Sequence, residues 1–170
     1  MKKEELRALQ APLKEQYKAD SAAALVTLTA RSRLDSTGIS CKMETGKVLV
    51  EAGLHPATGG DGTQVCSGDM LLESLAACAG VTLNAVATAM DISLRDATLT
   101  AEGELDFRGT LGVSRETPVG FVAVRLRFDL DTDAPPDQVA KLVELTERYC
   151  VVLQTLRGPT PLSVSHQIGK

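Results

Sequence analysis

Apolar residues recur every three to four positions in two long stretches of this chain and every second position in several shorter ones, which divides it into helices and strands. The strongest helical signal covers residues 67–90. There Leu71, Leu75, Cys78, Thr82, Ala85 and Ala89 fall on one face, flanked by Ala76, Ala77, Val81 and Val86. A helix apolar round most of its girth is expected to be buried on several sides, as between a sheet and a second subunit. Ser67 or Asp69 is the expected cap, with Asp69 at the positive end of the helix dipole. A second helix is expected from Pro135-Pro136-Asp137 to Gly158-Pro159, its stripe made by Val139, Leu142, Val143, Thr146, Tyr149, Cys150, Leu153 and Leu156. Between the helices, residues 94–107 and 119–130 alternate as two long strands.

Upstream, residues 25–31 alternate as a strand and Asp35-Ser36-Thr37-Gly38 supplies a turn. Residues 39–43 and 47–51 read as a hairpin about Thr45-Gly46, and a loop over 53–64 centres on Gly59-Gly60-Asp61-Gly62. Residues 161–168 read as a closing strand. At the N-terminus Leu6, Leu9, Leu13 and Tyr17 have helical spacing that Pro12 interrupts, giving two short helices or one kinked one. Strands come in consecutive runs and do not alternate strictly with helices. That order predicts an α+β fold with a largely antiparallel sheet covered by helices: one domain over residues 23–170, preceded by a helical extension over 1–22.

Composition narrows the function. A chain of 170 residues with 44% apolar content buries a real core, yet only 3% is aromatic, so base-stacking platforms are excluded. A net charge of −4 leaves no basic footprint for nucleic acid or an anionic membrane surface. The N-terminal lysines precede no apolar run, and residues 75–90 are shorter than the roughly 20 a bilayer needs, so a soluble, cytoplasmic protein is expected. In that compartment Cys41, Cys66, Cys78 and Cys150 are expected to be reduced. Without a Cys-x-x-Cys spacing and with two His, a zinc site is not expected, nor is any other metal or cofactor.

Cys78 and Cys150 have two readings. A free Cys is a small apolar filler, and either stripe would accept Ala or Val in its place. Two thiols on separate core helices also suit redox chemistry, if they meet in space and one is ionised by a cation or a helix N-terminus. Arg31, Arg33, Arg148 and Arg157 are the available cations, and spacing alone sets none of them against a sulfur. The glycine loop lacks a strand leading into it and a following Gly-Lys-Ser/Thr, so it reads as a connection and not a phosphate cradle. His55 and His166 read as surface or structural, Cys41 as packing, and Cys66 as a spare thiol at the mouth of the long helix. Asn84 is expected to hydrogen-bond across an interface.

The run Gly68-Asp69-Met70-Leu71-Leu72-Glu73-Ser74-Leu75-Ala76-Ala77-Cys78, with Tyr149-Cys150-Val151-Val152-Leu153-Gln154-Thr155-Leu156 some seventy residues on, resembles the OsmC/Ohr family of osmotically inducible and organic hydroperoxide resistance proteins. The order of elements matches over about residues 23–168. The resemblance implies an intertwined, domain-swapped homodimer with sites at the subunit interface. It also implies reduction of organic hydroperoxides: Cys78 would form a sulfenic acid, Cys150 would resolve it, and an external dithiol such as reduced lipoamide would restore both. Two positions depart from the family's peroxidases. Gly68 stands where they carry a Glu that holds an activating Arg, and Val151 follows Cys150 where they carry Pro. Arg33, anchored by Asp69, is the candidate for the missing guanidinium. Without a cation at the sulfur, an apolar site is expected to raise the Cys78 pKa. The competing expectation is a non-enzymatic dimer whose interface pocket binds a small apolar or lipid-like molecule.

Overall fold

A computed structural model describes residues 50–169 throughout, the backbone of 31–34, 40–44 and 49, and scattered helical positions between residues 3 and 19. Strands β1 (Arg31–Leu34), β2 (Ser40–Glu44) and β3 (Leu49–Gly53) form an antiparallel meander, and β3 then pairs in parallel with the two-residue β4 (Val65–Cys66). The hairpin expected about residues 45–46 is therefore present, with Cys41 opposite Ala52. The alternating segment 25–30 and the turn 35–38 lie outside the described residues, as does the kink at Pro12.

Helix α1 (Ser67–Met90) follows β4 directly and has the bounds its apolar period predicts. The cap differs: Cys66 occupies the N-cap position with no side-chain bond, while Asp69 lies in the first turn. The buried ridge also differs from the expected face. Leu75, Ala79, Leu83 and Ala87 step by four along the helix and are buried, whereas Leu71 and Ala89 are exposed. A small-residue ridge lets neighbouring backbones approach closely, and residues three or four apart share a helix face.

Strands β5 (Asp96–Leu105) and β6 (Phe121–Asp131) form a long antiparallel hairpin in a second sheet. Leu99 pairs with Phe128 and Ala101 with Leu126, and their side chains pack onto α1. Arg125 on the charged outer face bridges Glu104. A short helix α2 (Phe107–Thr110), capped by the Asp106 carboxylate, lies in the connection. The core is thus a layered stack with the hairpin on one side of α1. Helices α3 (Pro136–Tyr149) and α4 (Val151–Arg157) also pack on α1 and share the core with hairpin residues Leu99 and Phe128.

Two expectations are corrected here. The second helix is not continuous: it breaks at Cys150, whose φ of −71° and ψ of 107° are extended. Residues 161–169 form no strand in the single chain. Leu162 and Val164 are 93% and 97% exposed. A strand needs a neighbour to satisfy its amides, and no described strand pairs with this segment. Asn84, expected inside an interface, is exposed in the single chain.

Candidate functional site

The break at Cys150 is what brings the two thiols together. Its amide still donates to the Thr146 carbonyl at 2.9 Å, and its carbonyl accepts from Gln154 at 3.0 Å. Cys150 therefore closes α3 and opens α4 at once. The bend carries its side chain into the core, where it is fully buried against Leu75 and Ala79. Cys78, half-buried on α1, packs into the same cluster with Leu99, Ala101, Leu126, Phe128, Val152 and Leu153. The two thiols pack in one cluster, close enough for each to shift the other's ionisation, and neither is in a disulfide.

Burial pushes the Cys78 thiol up, but hydrogen bonds outweigh it. The Val152 amide, the Cys150 thiol, the Val151 amide and the Thr82 hydroxyl all favour the thiolate and hold the group below the ordinary thiol value. Among the described residues the groups around the sulfur lower the Cys78 value, where an apolar site by itself was expected to raise it. The first amides of α4 have no partner within their own helix, and Val151 retains the N–H that a proline would lack. Cys150 moves the other way: burial and the neighbouring Cys78 keep it protonated. The two thiols are thus shifted in opposite directions, Cys78 toward easier and Cys150 toward harder ionisation.

Arg33 belongs to β1, with its side chain outside the described residues. Asp69 lies nine residues before Cys78 on α1, about 13 Å along the axis at 1.5 Å per residue. Arg148 is turned over the ring of Tyr149, 5.6 Å from its centroid. Arg157 bonds Glu147 at 2.8 Å. Among the described residues no three His, Cys, Asp or Glu side chains gather as a metal site. His55 stacks on Phe107 with 4.9 Å between ring centroids and accepts from the Ala57 amide, which fits the structural role expected of it. In the glycine loop Asp61 accepts from both the amide and the hydroxyl of Thr63, and Gly60 backs onto the Leu54 carbonyl so closely that no side chain fits. The loop is knit in part by its own bonds.

Beside the thiol cluster an apolar cleft of about 590 Å³ runs between α1, β6 and α4, walled by Leu71, Phe121, Leu126 and Leu153 with Glu147 and Arg157 at its rim. Leu75 and Leu153 line the cleft and also pack on the thiols. Sequence reasoning missed the α4 amides and Thr82. The position of Thr82 four residues after Cys78 was legible. The amides were not, because no Gly or Pro marks the break.

A long cysteine-bearing helix laid between a β-hairpin and a second, broken cysteine-bearing helix defines an α+β protein with a paired-thiol interior. The chain belongs to the OsmC-like protein family, whose sequence profile matches residues 60–165. Its fold superposes on the OsmC like protein from Mycoplasma pneumoniae with a TM-score of 0.66 at 17% identity, over 79% of this chain and 90% of that one. An organic hydroperoxide resistance protein from Elizabethkingia anophelis gives 0.62 at 18% identity, over 79% and 91% of the two chains. The organic hydroperoxide resistance protein OhrB of Bacillus subtilis gives 0.52 at 20%, over 79% and 93%. At these identities the shared property is the fold. No curated protein matches the sequence.

Proposed function

We propose that this chain is a thiol-dependent peroxidase that reduces organic hydroperoxides, with Cys78 as nucleophile and Cys150 as resolving thiol. The observation that carries the reading is the meeting of the two thiols in one buried cluster, with Cys78 held below the ordinary thiol value and Cys150 above it. In the first step the Cys78 sulfur attacks the terminal peroxide oxygen. An S–O bond forms, the O–O bond breaks, and the electron pair leaves on an alkoxide that takes a proton from water to give the alcohol. Sulfur is oxidised to the sulfenic acid and the peroxide is reduced. The Cys150 thiol then attacks that sulfur, forming the disulfide and releasing water. An external dithiol of the lipoamide type reduces the disulfide and returns both thiols.

The apolar cleft beside the pair supports a bulky organic peroxide over hydrogen peroxide. Arg33, anchored by Asp69, is the proposed cationic approach to the sulfur. The reading calls for a reducing compartment, the cytoplasm, which suits three free described cysteines. It also calls for an intertwined homodimer. Val81, 74% exposed on α1, and the bare apolar positions Leu162, Val164 and Ile168 of the C-terminal segment support that assembly.

A second reading is favoured by the fact that neither thiol lines the cleft: the protein binds an apolar or lipid-like molecule there and the cysteines are packing. Intact mass and peptide mapping after one equivalent of cumene hydroperoxide separates the two. Rapid loss of two hydrogens at a Cys78–Cys150 bridge is the expected result. Unchanged thiols, or slow oxidation beginning at Cys66, would leave the ligand-binding reading.

A further inference from the structure

The N-terminal extension precedes the segment that the family profile matches, yet its described positions stand along one groove of the core. That groove, of about 480 Å³, lies between α1 and α3. Val81, Ala85, Ala89, Leu145 and Tyr149 wall it, and so does Gln10 of the extension. At the C-terminal end of α1 a second hollow brings Lys2, Lys3 and Glu4 beside Thr88, Asp91 and Ser93. Between Lys2 and Gln10 the chain therefore runs back along α1 from its end toward its middle. The Lys2 amide donates to the Glu5 carboxylate at 2.8 Å, a helix-starting contact, and positions 3–5, 8, 10, 11, 15 and 19 are helical. At about 100° per residue, the exposed Glu4, Glu5, Ala8, Ala11, Glu15 and Ala19 fall within one arc of roughly 120°. The half-buried Lys3 and Gln10 fall on the opposite side. By spacing, Leu6, Leu9, Leu13 and Tyr17 share that inner side, with Arg7 and Lys14 at its edge. Pro12 falls on the outer arc, where a proline bends a helix round what it covers.

We propose that residues 1–22 are an intrachain strap, whose apolar side of Leu6, Leu9, Leu13 and Tyr17 docks in the α1–α3 groove of the same chain. Placement favours this occupant over a second copy, because Gln10 already stands at the groove and Lys2 to Glu4 at its end. Length agrees. At 1.5 Å per residue the helix from Lys3 to Tyr17 spans about 21 Å, against about 13 Å for the α1 row from Val81 to Met90. Charge agrees as well. The last turn of α1 carries no basic residue and is capped by Asp91, so the partial negative charge at that end is met by Lys2 and Lys3. The strap covers the row from Ala85 to Met90 and leaves Val81, 74% exposed, open to other contacts. It is independent of the chemistry at Cys78.

The test is amide hydrogen exchange of the reduced full chain, read by mass on the peptides covering residues 1–22. A lone helix of this length is marginal in water, so docking shows as added protection. Wild type is expected to exchange there roughly a hundredfold slower than an unstructured chain. Leu6→Ser with Leu13→Ser removes two docking side chains and is expected to speed that exchange roughly tenfold. Ala89→Arg attacks from the other side: it crowds the groove and repels Lys2 and Lys3, while a cation suits the last turn of α1 itself. It is expected to speed exchange in residues 1–22 to a similar degree. Ala11→Ser, on the outer arc, is expected to stay near wild type. An unprotected extension in wild type, or protection that neither variant lowers, overturns the proposal. If Ala89→Arg also loosens the α1 peptides, the Leu6/Leu13 variant decides alone. Protection that falls on tenfold dilution would place the extension on a second copy, and so overturns the intrachain strap.

Discussion

Gly103 shows how tightly single positions are set. A Cβ built on it would fall 2.4 Å from the ring of Phe121, which lies across the hairpin and also reaches Gly68 at the start of α1. The Leu72 side chain lies 3.2 Å from the same Cβ, so a methyl there meets both neighbours at once. Gly103→Ala is expected to cost about 1–3 kcal/mol, the usual price of overpacking, and to lower the urea midpoint at an unchanged m-value. An unaltered midpoint would mean that the ring swings free. Thr146 illustrates the opposite case, a polar side chain at 0% exposure. Its hydroxyl donates to the Leu142 carbonyl at 2.8 Å, so nothing is left unpaired beside the thiols.

At the scale of elements, the α3–α4 joint has the largest chemical effect. Gln154 reaches back to the Glu147 carbonyl and Arg157 to the Glu147 carboxylate, so the bend is stitched from both sides. Val151 begins α4, the position where proline is tolerated because the first amide is unused within the helix. Val151→Pro is therefore expected to leave the melting temperature within a few degrees of wild type. It should raise the Cys78 alkylation midpoint by about half a pH unit, by removing one of two amide donors. A variant with an unchanged midpoint would show that the Val152 amide suffices. This joint was the part of the site least legible in the sequence. The run from Val139 to Leu156 keeps an unbroken helical period through Cys150, and backbone angles leave no trace in a hydropathy pattern. The pair Val151-Val152 was the one weak sign, since β-branched residues disfavour helix interiors. Helix α1, by contrast, was legible end to end, because a continuous period over 24 residues has no strand alternative. Its buried ridge was shifted by one position, since Ala on every side blurs which face is most apolar.

At the scale of the whole molecule, α1 is apolar well beyond what one chain covers. By length and composition it would even span a membrane, but here it packs on β5, α3 and α4. Val81 stands out from the opposite side. If a second copy covers that side, Val81→Asp places a charge in an apolar contact and is expected to weaken association at least tenfold, read by sedimentation equilibrium. An unchanged association constant would move the interface elsewhere. The fold class was legible because strands come in runs. The closing strand was not, because residues 161–168 have the alternation of a strand and no partner among the described residues. The uncovered row on α1 then has a consequence for handling the protein. A folded state completed by a second copy is governed by mass action, so its melting temperature falls on dilution and rises with stock concentration. If a second copy does cover α1, two laboratories working tenfold apart in concentration would measure different stabilities for the same molecule.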